Sequence, residues 1–382
     1  MNGRFAARAA AVAAVAAAHA DDVDTNARAP IEAIAAMRKH GLLAAALPTA
    51  LGGEGATVLE LSEIATEIGR ACAATGMVFA MHQGQAMALW RHGGDAPGVT
   101  AAVEAVRDGA LLASSTTEKG IGGDARTSSC AIETTPSGRI RIRKDAPVIS
   151  YAEQASAILV TARRDPDAPS SDQRLVVCTA EDLVLTATSA WDTLGLRGTC
   201  SGGWLLEAET DANRVLADDY ATISASTVLP VSHILWASVW LGIASGAADI
   251  ARQSVRKQAR AAVGSTPPAA LRLAELLVAL QAMADTVRHA AARFDAVADN
   301  REALGTVAFA LAANALKIGA SDAVVDVVTR AMRIVGISGY RRTGAMSLGR
   351  HLRDAHGAAV QVSNDRLLQN DAGLAMMAGA WL

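Results

Sequence analysis

The residues whose types and spacing most suggest chemistry form one polar, glycine-rich stretch, Ala113-Ser-Ser-Thr-Thr-Glu-Lys-Gly-Ile-Gly-Gly-Asp-Ala125. Glycines let backbone N–H groups close on phosphate oxygens. Gly120 to Ala125 also matches GxGxxA, and Asp145 lies at about the distance of the acidic residue in a dinucleotide fingerprint. The context argues against such a site. Ser114–Lys119 is polar where a buried strand is required, and Arg126-Thr-Ser-Ser-Cys130 does not open a helix. The four cysteines, Cys72, Cys130, Cys178 and Cys200, are far apart with no CxxC pair. That spacing gives neither a zinc site nor a disulfide framework, and it fits a reduced cytoplasm.

The elements that must position such a loop follow from length and periodicity. A chain of 382 residues, 51% hydrophobic, holds two or three packed units with a large core. Its net charge of −3 gives no basic excess, so nucleic acid is not an expected partner. Residues 1 to about 105 read as helical, with apolar positions three and four apart in Ile31–Met37 and Leu59–Ile68. The alanine run Ala9–Ala18 is too weakly apolar for a good secretory signal and reads as a surface helix. No segment reaches the ~18 uninterrupted apolar residues of a membrane span.

Between about Ala110 and Ile223 the period changes to two. Arg139–Arg143 alternates strictly after the turn Pro136-Ser137-Gly138, and Ile158–Val160 and Arg174–Cys178 are short apolar strands. After about Ser224 the helical period returns. Leu273, Leu276, Leu277, Leu280, Ala284 and Val287 predict one buried stripe on a helix started by Pro267-Pro268. Further helices are expected over 231–260, 305–335 and about 358–379. Helices, then strands, then helices make an α+β protein, with expected domains at 1–108, 109–225 and 226–382.

Five segments in order resemble the acyl-CoA dehydrogenase family. Besides the 113–125 loop, they are His40-Gly-Leu-Leu with Pro48 and Leu51-Gly-Gly53, Pro147-Val-Ile-Ser150, Leu194-Gly-Leu-Arg-Gly-Thr199, and Ile334–Tyr340 with Leu352-Arg-Asp-Ala355. The resemblance covers about residues 30 to 370. It implies an N-terminal helical domain, a middle β-barrel-like domain and a C-terminal four-helix bundle. It also implies FAD, an acyl thioester on CoA or a carrier protein, and a homodimer or homotetramer. Thr117, Gly122, Gly123, Ser150, Arg260, Gly336 and Asn364 are the cofactor-binding residues so implied. Val148 and Val263 replace aromatic residues that the family places against its flavin.

The same resemblance exposes a departure. The carboxylate base of the family aligns with Val362, and its alternative place, on a helix of the last domain, aligns with Ser232. No glutamate occurs after Glu302. His233, beside the second place, is the leading substitute because imidazole titrates near neutral pH. Asp365 and His356 are the other candidates, and Glu118 is assigned to the loop's framework. The expected reaction is α,β-dehydrogenation with a non-standard base. A flavin-dependent monooxygenase or oxidase on the same scaffold, or a catalytically silent FAD-binding homologue, are the alternatives.

Overall fold

The computed structural model describes residues 3–121, 124–261 and 266–377. The chain opens with five helices, α1 (Ala6–Asn26), α2 (Ile31–Lys39), α3 (Val58–Ala71), α4 (Ala73–His92) and α5 (Pro97–Arg107). Strands β1 (Leu112–Ser115), β2 (Glu133–Thr134), β3 (Ile140–Ala146), β4 (Ala157–Arg163), β5 (Gln173–Thr179), β6 (Leu183–Ser189) and β7 (Gly203–Thr210) follow. The rest is helical: α6 (Tyr220–Ile223), α7 (Leu229–Ala261), α8 (Ala269–Val297), α9 (Arg301–Leu304), α10 (Val307–Val335), α11 (Ile337–Tyr340), α12 (Gly349–His356) and α13 (Asn364–Met377).

The alanine run is an ordinary helix with a buried side. Ala9, Val12, Ala16, Ala20 and Val23 face inward at helical spacing, and α1 packs on α3 and α2. Thr57 caps α3 through a reciprocal bond with Glu60. Asp295, on α8, closes the same end by accepting the Val58 and Leu59 N–H groups at 2.8 and 2.9 Å. The strands form two sheets. In one, β1 runs parallel to β4, which pairs antiparallel with β5; in the other, the order β2-β3-β7-β6 is antiparallel throughout. Gly138, at φ +80°, makes the β2–β3 turn that the sequence predicts.

The C-terminal core is built on α7, α8 and α10, with α3 packed along α7. Gly69 and Gly242 set that last contact. A Cβ on Gly242 would lie 2.4 Å from the Thr66 carbonyl oxygen, so the backbones approach as only glycine permits. By length and hydropathy alone, 220–261 and 307–335 could cross a bilayer, and 78% of the relevant window in the first is buried inside the protein. They are core helices here.

Two expectations need correction. The buried stripe of α8 is Leu276, Met283, Val287, Ala291 and Phe294, whereas Leu277 is exposed and Leu273 and Leu280 are half-buried. In an alanine- and leucine-rich helix several stripes satisfy the period, and the neighbours α7 and α10 select one. The helix expected over about 358–379 starts later, as α13 from Asn364, because the turns 357–363 follow α12. Gly357 ends α12 and Val362, at φ +58°, precedes α13.

Candidate functional site

The glycine-rich loop leaves the end of β1 and is anchored by its own acid. Glu118 is buried and accepts the Ser128 hydroxyl at 2.9 Å and the Ser129 N–H at 3.0 Å. Its side chain is therefore a strut, as assigned. Thr117 is half-buried, and its hydroxyl donates to the Val148 carbonyl at 3.4 Å, joining the loop to the segment that carries Ser150. Gly120 takes φ +90° with no atom within 4 Å of where a Cβ would stand. Gly122 and Gly123 lie outside the described residues, as do Val263 and Gly264.

Ser150 ends a chain of hydroxyls with a fixed direction. Thr199 Oγ1 donates to the Leu196 carbonyl at 2.9 Å, so it must accept from Ser201, 2.8 Å away. Ser201 has then spent its proton, and Ser150, at 2.8 Å, donates to it. Ser150 presents only lone pairs outward, an acceptor ready for an N–H of a bound ring. Three non-glycine residues with left-handed backbone, Tyr151 (φ +41°), Leu196 (φ +52°) and Cys200 (φ +45°), flank this chain. Such clustering marks functional sites, where packing must hold strained conformations in place. Gly336, at φ +69°, turns the chain after α10, and Ile337 and Tyr340 beyond it are exposed. Arg260 lies exposed on the last turn of α7.

The candidate base is deep in the helices. His233 is 3% exposed, and its Nδ1–H donates to the Ala313 carbonyl at 3.2 Å, which leaves Nε2 as a lone pair. Burial, helped by the nearby Lys317 charge and opposed by the Ala313 carbonyl, pushes the imidazole down to about 4. Ser232 is buried close to Gly84. His356 and Asp365 are both exposed, at the end of α12 and the start of α13.

At Val362 the fold brings in a residue that none of the motifs names. Lys317, on α10, is fully buried and donates to the Val362 carbonyl at 2.5 Å and to Asn364 Oδ1 at 2.7 Å. The Asn364 amide also donates to Ser321 Oγ at 2.9 Å, so both ends of this expected cofactor residue are engaged within the chain. Burial pushes the ammonium down to about 8, and no carboxylate lies within ion-pair distance among the described residues. The signal was available: Lys317 is the one charged residue between Thr306 and Asp322 in an otherwise apolar helix.

The arrangement suits a flavin. The Thr117-to-Ser150 segment, with an acceptor-only hydroxyl at Ser150, the exposed apolar Val148 beside it and open backbone at Gly120, offers polar and apolar surface of the kind an isoalloxazine needs. Thr117, Ser150 and the Gly120 backbone would hold its ring and phosphates.

Comparisons with known proteins place the chain in one family. "Acyl-CoA dehydrogenase, N-terminal domain" matches residues 4–97, and "Acyl-CoA dehydrogenase, C-terminal domain" matches residues 223–360. A probable acyl-CoA dehydrogenase, YngJ of Bacillus subtilis (strain 168), is 28% identical over 345 residues, covering 88% of this chain and 87% of that protein. The amino sugar nitrososynthase DnmZ of Streptomyces peucetius is 27% identical over 304 residues, 74% of this chain and 70% of its own. Among solved structures, FMN-bound TdsC from Paenibacillus sp. A11-2, a dibenzothiophene monooxygenase, has a TM-score of 0.84. At 19% identity over 98% of both chains, that likeness concerns the fold alone.

Proposed function

The chain belongs to the acyl-CoA dehydrogenase family of flavin-binding oxidoreductases, and from that premise we propose that it works as an oxygen-using flavin monooxygenase or oxidase. The observation that carries this reading is the Lys317–Val362 contact. Where relatives are expected to hold a carboxylate, this chain has an aliphatic side chain whose carbonyl is bound by a buried ammonium. Removing an α-proton from a thioester needs an unprotonated base of useful strength. Lys317, at about 8, is largely charged at neutral pH, and His233, though neutral, is buried with its Nδ1 on the Ala313 carbonyl. Asp371, the carboxylate on α13 that faces α10, is taken up by the Asn314 amide at 2.6 Å.

When bound, a flavin reduced by an external hydride donor or by the substrate itself would pass two electrons to oxygen, giving an oxygenated substrate and water in a monooxygenase or an oxidised substrate and hydrogen peroxide in an oxidase. The chain's own residues orient and polarise. The hydroxyl chain fixes Ser150 as an acceptor, and the Lys317 charge makes the wall beside Val362 favourable to developing negative charge. We take FAD as the flavin, and chromatography of the flavin released by heat distinguishes it from FMN. A cytoplasmic homo-oligomer is the accompanying expectation.

Two observations favour the second reading, dehydrogenation of an acyl thioester. The lone pair at His233 Nε2 is left open by the bond from Nδ1, and the 28% identical relative is named a dehydrogenase. Anaerobic titration of the yellow protein with acyl-CoAs of several lengths separates the two. An unbleached flavin, with fast oxygen uptake after chemical reduction, is expected. Bleaching by an acyl-CoA overturns the oxygenase reading, and His233→Ala then tests the base. A protein that binds no flavin overturns both.

A further inference from the structure

Helix α13 has very little apolar anchorage. Only Leu367 among its described side chains is buried, and Leu368 and Met376 are exposed. What ties it down is polar and comes from one face of α10. Asn314, Lys317 and Ser321, spaced by three and four, lie on one side of that helix. Asn314 donates to Asp371, Lys317 to the Val362 carbonyl and Asn364, and Ser321 accepts from Asn364. At its other side, Asn370 of α13 accepts from the Arg126 guanidinium at 3.2 Å, and Arg126 is itself held by Asp124. The helix therefore joins the bundle to the turn that follows the glycine-rich loop.

Lys317 is an expensive residue for such a place. An ammonium taken out of water without a counter-ion is strongly disfavoured, and a methionine would fill the volume more cheaply. Val362 adds to the cost, since a β-branched residue at φ +58° is strained. A charge-assisted bond to the strained residue's own carbonyl holds it there.

We infer that Lys317 is a positioning residue that sets the path of residues 361–364 along the flavin site and, with Asn314 and Ser321, docks α13 as a strap between the bundle and the 124–126 turn. The inference rests on the flavin reading only for its binding readout. The docking itself is read without flavin chemistry.

The test compares wild type, Lys317→Met and Lys317→Arg as flavin-loaded proteins, by hydrogen–deuterium exchange and by flavin titration. In Lys317→Met, amides of 359–377 exchange at least about tenfold faster while those of α7 and α8 are unchanged. Flavin binding weakens by about tenfold, and Lys317→Arg restores part of both. Unchanged exchange over 359–377, or equal acceleration in α7 and α8, overturns the strap. Local acceleration with unaltered flavin affinity overturns the positioning role. Should Lys317→Met fail to fold, Ser321→Ala removes the outer bond and is judged by the same outcomes. If the protein binds no flavin at all, the flavin reading fails, while the exchange experiment still decides the strap.

Discussion

Asp354 accepts the Leu196 N–H at 2.7 Å, across 158 residues of sequence, and is itself fully buried. The bond locks the turn that carries the hydroxyl chain. Gly195 completes the fit, because a Cβ there would lie 2.3 Å from the Arg353 carbonyl oxygen. Two short motifs, Leu194–Thr199 and Arg353-Asp-Ala355, are thus one packed unit.

Asp354→Ala leaves the Leu196 N–H buried without a partner and is expected to cost about 2 kcal/mol in urea unfolding. The carboxyl also carries a pH signature. Burial raises it from 3.8 to about 6, against the pull of the Leu196 N–H. A raised folded-state value means stability present below pH 3.8 that is lost as pH rises through about 6. Asp354→Asn removes that loss, so its stability relative to wild type improves between pH 4 and 7. A flat difference across that window would contradict the assignment.

Three histidines act in the opposite direction. His82 accepts the Leu112 N–H at Nδ1 and donates from Nε2 to the Leu43 carbonyl, and it is held neutral. Burial pushes His82 and His233 to about 4 and His351 to about 3. Their folded values lie below 6.5, so the unfolded chain takes up more protons and stability falls as pH drops from 6.5 through 4. Thermal midpoints measured from pH 7 to 4.5 should fall steeply, and His82→Gln should show a shallower slope despite a lower starting point.

The hydroxyl chain predicts an unequal pair of variants. Ser150→Ala removes the acceptor and weakens flavin binding by about 1 kcal/mol. Ser201→Ala leaves Ser150 free to turn its proton outward, which changes its role from acceptor to donor. The flavin absorption band should therefore move in Ser201→Ala more than its affinity changes. Identical spectra for wild type and Ser201→Ala would remove the directional argument.

Val362→Gly is expected to stabilise the protein by about 1 kcal/mol, because glycine adopts φ +58° without the Cβ clash. Val362 is 43% exposed, so little burial is lost. Val362→Ala keeps the clash and should gain nothing. Chemical denaturation of the two variants side by side gives the comparison.

Much of this was legible beforehand. The change of period at Arg139–Arg143 gave β3, and Gly138 gave its turn, because alternation and turn chemistry are local. The motifs point to the family, and several of their glycines, Gly53, Gly195 and Gly198, stand at close approaches that a Cβ would block. Lys317 stands out as a lone charge in an apolar stretch, but what it binds is not legible. Its partners, Val362 and Asn364, lie 45 and 47 residues away and are met through backbone and amide oxygens that leave no pattern. The choice of stripe on α8 failed for a related reason, since which face is buried depends on neighbours that periodicity does not identify. The resemblance points to His233, but its burial, which lowers its basicity, belongs to the packing of α7 against α10.

The Asp295 carboxylate that closes the start of α3 comes from a residue 237 positions later. On the ribosome, α3 emerges with its first amides uncapped from that side and with its principal packing partner, α7, not yet made. The first hundred residues therefore remain an incomplete folding unit until most of the chain has been translated. A fragment ending near residue 108 should be a chaperone client rather than a stable domain.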